Sequence, residues 1–232
     1  MIRNILAVLP LALLALPVQA DWQGKGELGG VLTRGNTDTK SLNARLDMTR
    51  DTEQWRHMAG FSVLRSTNDD VTSADRWELR GESDYRLTQR SYLFGALRYE
   101  EDRFTDFDYK ATAAFGYGYK FIDRESTKLD ARLGVGYRRS ELRISGETEE
   151  DAILRGAIDF AHQLTETTRI VDGFLIESGS NNTFLQNVLG IEVKINAALA
   201  LGLNYEVRHN TDVLPGTKKT DQLLTANLVF EF

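Results

Sequence analysis

The chain of 232 residues contains no cysteine. A disulfide scaffold and any thiolate metal site are therefore excluded. Histidine is scarce as well, with only His57, His162 and His209. No apolar run after residue 20 approaches the roughly 20 residues that a membrane helix needs. No basic cluster occurs and the formal net charge is −6, which argues against a nucleic-acid partner. There is no phosphate-binding glycine loop and no nucleotide motif. The acidic runs Asp69-Asp70 and Glu149-Glu150-Asp151 lack the spacing of a dedicated Ca²⁺ loop and read as solvated loop residues. No cofactor, metal ligand set or catalytic constellation is indicated.

What is present lies first at the two ends. Met1 to Asn4 is a short start carrying Arg3, Ile5 to Val18 is apolar, and Val18-Gln19-Ala20 is a small-residue cleavage site. Residues 1–20 read as a secretory signal peptide, too short and wrongly flanked to span a membrane. The mature domain is then 21–232. Its last residues alternate: Leu224, Ala226, Leu228, Phe230 and Phe232 share one face, and Thr225, Asn227, Val229 and Glu231 the other. A period of 2 is a strand with one apolar face. A closing strand of this kind resembles the C-terminal signal of bacterial outer-membrane β-barrels. The resemblance implies that Leu224, Leu228, Phe230 and Phe232 are read by the barrel-assembly machinery.

The same period recurs along the whole chain. Leu129, Ala131, Leu133, Val135 and Tyr137 oppose Lys128, Asp130, Arg132, Gly134, Gly136 and Arg138. Leu199, Leu201, Leu203, Tyr205 and Val207 oppose Gly202, Asn204, Glu206 and Arg208. A helical period of 3.6 would scatter these sets around a cylinder. Twelve strands are predicted, at Trp22–Thr33, Thr39–Thr49, Trp55–Arg65, Asp75–Leu87, Tyr92–Glu100, Asp108–Phe121, Lys128–Arg139, Ala152–Leu164, Arg169–Ser178, Thr183–Ile195, Leu199–His209 and Thr220–Phe232. Most approach the ~9–11 residues that a tilted strand needs to cross a bilayer. A soluble β-sandwich would alternate in the same way. The leader and the terminal Phe strand favour an all-β, transmembrane, antiparallel up-and-down barrel of about twelve strands. An average hydropathy that looks soluble is what alternating lipid-facing and lumen-facing residues produce.

Connections after even strands are short. Most of those after odd strands are longer, as at Ser66–Ala74, Glu101–Phe107, Ser140–Asp151 and Asn210–Lys219. That is the pattern of periplasmic turns and extracellular loops. Aromatics fall in two bands, which suits rings at headgroup level. Trp22, Trp55, Tyr85, Tyr119, Phe121, Phe160, Phe230 and Phe232 make one; Trp77, Tyr99, Tyr109, Tyr137, Phe184 and Tyr205 make the other. Outer-membrane lipid and lipopolysaccharide are the expected surroundings, and oligomeric state is not readable.

Several motifs occur together: Trp22-x-Gly24-x-Gly26, Gly35-Asn36-Thr37-Asp38, Tyr92-x-Phe94, Arg98-Tyr99-Glu100-x-Asp102-x-Phe104, Gly116-Tyr117-Gly118-Tyr119 and Leu133-Gly134-x-Gly136-Tyr137. Across essentially the whole mature chain they resemble the YdiY-like family, described as salt-induced outer membrane proteins whose role is not established. The resemblance implies an outer-membrane barrel and brings no catalytic residues with it.

The inward register is heavily charged. One strand presents Arg76, Glu78, Arg80, Glu82, Asp84 and Arg86; Arg98, Glu100, Arg132, Glu206 and Arg208 join it from others. Twelve strands give a backbone diameter of roughly 24 Å, most of which long side chains would fill. Two readings follow: a narrow charge-lined pore, or a packed polar plug of mixed-sign ion pairs, with glycines in the sixth and seventh strands making local room. A third, enzymatic reading rests on His209, outward at an extracellular strand end near Ser178 or Ser180, as in a lipid-modifying outer-membrane enzyme. One strand intervenes between them, and no Ser–His spacing motif is present.

Overall fold

The computed structural model describes residues 22–33, 39–213 and 215–232. The expected leader and the Gly35-Asn36 turn lie outside the described residues. Twelve strands run through the rest: β1 (Trp22–Thr33), β2 (Thr39–Asp51), β3 (Trp55–Asn68), β4 (Val71–Arg86), β5 (Ser91–Asp102), β6 (Phe107–Asp123), β7 (Thr127–Leu142), β8 (Thr148–Gln163), β9 (Thr168–Ser178), β10 (Thr183–Lys194), β11 (Leu199–Asn210) and β12 (Thr220–Glu231). Each pairs antiparallel with its sequence neighbours, and β1 pairs with β12, so the sheet closes into the expected up-and-down barrel. The seam runs in register from Lys25↔Glu231 to Gly29↔Asn227, and Phe232 and Gly24 exchange backbone hydrogen bonds of 2.7 and 2.9 Å. Closure leaves no unpaired sheet edge, the condition for strands in hydrocarbon.

Alternation sorts the side chains inside out relative to a soluble protein. Phe115 is 68% exposed and Leu97 66%, with Leu133, Leu154 and Leu224 on the same outer wall. Glu177, at 1% exposure, is among the most deeply buried side chains, and Glu100, Glu192 and Arg208 are buried too. The soluble sandwich is thereby displaced: the apolar face points outward and the charged face is the core.

Call the rim with the turns after even strands the lower rim, and the opposite one the upper. Aromatic clusters mark both. Near the lower rim Trp55 lies 5.0 Å from Tyr85, Tyr119 5.1 Å from Phe121 and Phe230 5.6 Å from Phe232. Near the upper rim Trp77, Tyr99 and Tyr109 stand in a row at 5.2 and 5.7 Å. Phe184 departs from its expected place in the upper band. It shares a face with Gln186 and Glu192 rather than with Leu185, so its ring is buried in the lumen.

The expected long upper loops are mostly strand. Ser66–Ala74 contracts to a tight turn at Asp69-Asp70, with φ of 48° and 62°. Two successive positive φ values are the hairpin geometry whose twist matches paired strands. Ser140–Asp151 contracts to 143–147, because β7 continues to Leu142 and β8 begins at Thr148. Glu149, Glu150 and Asp151 are therefore strand residues. Charged residues beyond the apolar band hid this continuation: pairing persists where the wall no longer needs apolar side chains. Of the four loops expected to be long, the one between Asn210 and Thr220 stays long.

Candidate functional site: the charged lumen

Inward side chains meet across the barrel. β5 and β11 are diametrically opposed in the ring. Nevertheless Arg208 of β11 reaches both carboxylate oxygens of Glu100 on β5, at 2.7 and 2.5 Å. Arg76 of β4 contacts Glu206 of β11 at 3.0 Å. Arg98 of β5 is held by three carboxylates, Glu78 at 2.9 Å, Glu100 at 2.6 Å and Glu177 of β9 at 3.2 Å. The aromatic ring at the centre of this tier is Phe184, with the Arg98 guanidinium 4.6 Å and the Arg208 guanidinium 5.0 Å from its centroid. A flat cation over a ring face gains electrostatically while losing little contact area.

Below this tier Arg132 bridges Glu82 of β4 and Asp159 of β8. Arg80 joins Asp47 at 2.5 Å and Glu78 at 3.6 Å. Lower still, Lys25 contacts Glu192 at 2.6 Å, and Arg169 links Glu192 to Glu231 at 2.6 Å. Asn43, Asn204 and Asn227 extend the network at the β1–β12 seam, two of them donating to Glu27 at 3.1 and 3.0 Å. On the upper side Arg138 pairs with Asp151 at 2.9 Å and donates to the Asn182 carbonyl at 2.6 Å.

Of the residues singled out by sequence, Arg76, Glu78, Arg80, Glu82, Arg98, Glu100, Arg132, Glu206 and Arg208 are thus brought together. Asp84 is buried beside them without a salt bridge, its Oδ1 unpartnered among the described residues. Arg86 is not part of the lattice. It sits at the lower rim, bonded to Asp51 and to the carbonyls of Thr52 and Glu53 in the adjacent turn. Sequence reasoning missed Glu27, Glu177 and the ring of Phe184. Glu177 was findable, since it continues the inward parity of Arg169, Val171, Gly173 and Leu175.

The expected room at the glycines exists, and it is filled. Tyr92 and Phe94 point inward from β5 and, with Ala96, form a small apolar core within the lumen. A Cβ at Gly118 would strike the Tyr92 ring, and one at Gly134 would lie 2.9 Å from Phe94. The Tyr92 hydroxyl donates to Asp130 across β6. Aromatic rings and ion pairs together occupy this part of the lumen.

Among the described residues at the upper rim, His209 and the two candidate serines meet other partners rather than each other. The His209 ring nitrogen Nδ1 is 2.8 Å from the Thr220 hydroxyl, the Ser178 hydroxyl is 3.0 Å from Thr183, and Ser180 donates to Asp151 at 2.7 Å.

Comparison with other proteins agrees with this architecture. A family described as protein of unknown function, DUF481, matches residues 26–232. The chain belongs to that family. It is 27% identical over 194 residues to the uncharacterized protein YdiY of Escherichia coli strain K12, an alignment covering 82% of this chain and 75% of that protein. Among solved structures, the DUF481 barrel resembles the COG4313 outer membrane channel from Pseudomonas putida F1, with a TM-score of 0.53 at 12% identity over 91% of this chain and 95% of that one. The translocator domain of the autotransporter NalP from Neisseria meningitidis gives a TM-score of 0.51 at 13% identity, covering 91% and 88%. The NanC porin gives 0.51 at 10%, covering 90% and 97%. At these identities the likeness is one of fold: the structural neighbours are outer-membrane β-barrels.

Proposed function

We propose that this DUF481 protein is a non-enzymatic outer-membrane barrel whose lumen is closed at rest by transluminal ion pairs, a structural barrel of the envelope rather than an open pore. The observation that carries this reading is the Arg208–Glu100 pair, which joins diametrically opposed strands at 2.5 Å. An open porin keeps opposite walls apart and arranges charge in rings of one sign. Here the arginines of the central tier pair directly with carboxylates.

The lower rim belongs in the periplasm, with its short turns, and the upper rim outside the cell. The exposed apolar wall then meets outer-membrane lipid, with the upper aromatic row at the lipopolysaccharide level. A link to salt is carried by the family resemblance alone. Ion pairs buried in the lattice are weakly screened by salt, so such a response would act at the rims.

Fractionation and liposome swelling test the reading together. The protein is expected in the outer membrane as a heat-modifiable barrel, and its liposomes are expected to show no swelling in small sugars. Rapid swelling in the wild type would favour the charge-lined pore and contradict closure.

A further inference from the structure

Above the ion-pair lattice the upper mouth holds a cavity of about 360 Å³, within the size range of small-molecule sites. Its walls are the upper end of β4 at Ser73, the β5–β6 turn with Phe104 and Thr105, Asn210 at the end of β11, and residues 216–218 of the β11–β12 connection. That connection reaches over from β11–β12 to the opposite side, where the Thr217 hydroxyl donates to Asp106 at 2.7 Å. The cavity is therefore built by elements from opposite walls.

Lys110 also lines it. This half-buried ammonium lies 4.3 Å from the Phe107 ring centroid and 5.9 Å from that of Phe184, and it donates to Asn210 Oδ1 at 3.4 Å. Among the described residues no carboxylate lies within salt-bridge distance of it. Its cross-strand neighbour Glu100 is already taken by Arg208 at 2.5 Å and Arg98 at 2.6 Å. Lys110 is thus a lattice cation with no carboxylate within salt-bridge distance among the described residues, facing this cavity.

We propose that this vestibule binds a small monoanionic sugar acid, with its carboxylate on Lys110. Four features set the class. Charge calls for one negative group at Lys110, because a partly desolvated ammonium gains most from an opposite charge. The wall carries two cations, Lys110 and Lys218, against two carboxylates, Asp106 and Asp221, so it has no surplus positive charge to hold a dianion, and Asp221 can accept from ligand hydroxyl groups. Ser73, Thr105 and Asn210 offer further hydroxyl and amide partners for a polyol. Phe104, half-exposed, presents a ring on which the CH face of a pyranose can rest. The site lies above the closed tier, so binding is independent of whether the barrel conducts.

The test is isothermal titration of the refolded full-length barrel in detergent with sodium D-glucuronate, D-glucose and sodium phosphate at matched ionic strength. Glucuronate is expected to bind saturably and the other two far more weakly. Lys110→Met is expected to weaken glucuronate binding roughly tenfold or more, and Phe104→Ala, at an exposed ring, to weaken it while leaving the heat-modifiable fold intact. Should Lys110→Met fail to fold, the Phe104→Ala result and the three-ligand comparison decide alone. Glucose or phosphate binding as well as glucuronate, no binding of glucuronate, or unchanged affinity in Phe104→Ala would each overturn the proposal. These outcomes are separate from current or swelling, so a conducting barrel leaves the proposal standing and a failed titration leaves closure standing.

Discussion

A methyl group at Gly118 would collide with the Tyr92 ring that β5 sends into the lumen. Gly118→Ala is expected to destabilise the barrel by about 1–3 kcal/mol, the usual range for overpacking, seen as a lower urea midpoint in lipid vesicles. Adding Tyr92→Leu should recover part of that loss, and no recovery would place the strain elsewhere. On the outer wall a different residue pair stands out. Asp172 shares a face with Phe174 and lies opposite Phe160 and Leu189, midway along the apolar side of β9. Its carboxylate accepts a hydrogen bond from Asn187 Nδ2 at 2.8 Å. Where this wall faces hydrocarbon, as the proposed membrane placement requires, the Asn187 amide is the donor that the carboxylate relies on. Asn187→Leu alone should therefore cost more stability than the double change Asp172→Leu with Asn187→Leu. Equal urea midpoints for the two would show that the carboxylate finds its partners elsewhere.

At the scale of the element, β12 completes the ring. Deleting Phe230–Phe232 removes the Phe232–Gly24 backbone hydrogen bonds and the Phe230↔Gly26 register at the seam. An open edge in lipid strands peptide groups that nothing can satisfy. The deletion is expected to deplete the outer membrane of heat-modifiable protein; normal levels would show that the seam closes without these residues. The 143–147 turn at the upper rim holds Gly146 at φ 69°, exposed. An epitope inserted there should be labelled on intact cells, and labelling only after permeabilisation would invert the topology. Existence and order of all twelve strands were legible because a two-residue period survives wherever one face meets lipid, as in β7 and β11. Strand ends were not. Above the apolar band β7 and β8 pair through Ser140↔Glu149 and Arg138↔Asp151, polar residues that look like loop. Inward charge was legible by parity; its partners were not, because Arg76–Glu206 and Arg98–Glu177 join strands far apart in sequence. Phe184 was misplaced because an aromatic at a strand end suits a membrane girdle, although it shares the inward parity of Glu192.

The whole molecule is a ring whose outer wall is apolar and whose core is a lattice of charge. Burying so many ions costs desolvation that their mutual attraction only offsets when every member is paired, and removing one partner typically costs about 3–5 kcal/mol. Such a lattice fixes one arrangement of the walls rather than adding net stability. It also ties opposite walls together at the tier of Arg98, Arg76 and Arg208. The decisive measurement is single-channel current across a planar bilayer for the refolded wild type and for Arg208→Ala, which frees Glu100 from the opposite wall. The wild type is expected to stay at baseline and Arg208→Ala to open cation-selective steps, since it leaves a carboxylate behind. Steady conductance in the wild type, unchanged in Arg208→Ala, would contradict a lumen closed by ion pairs.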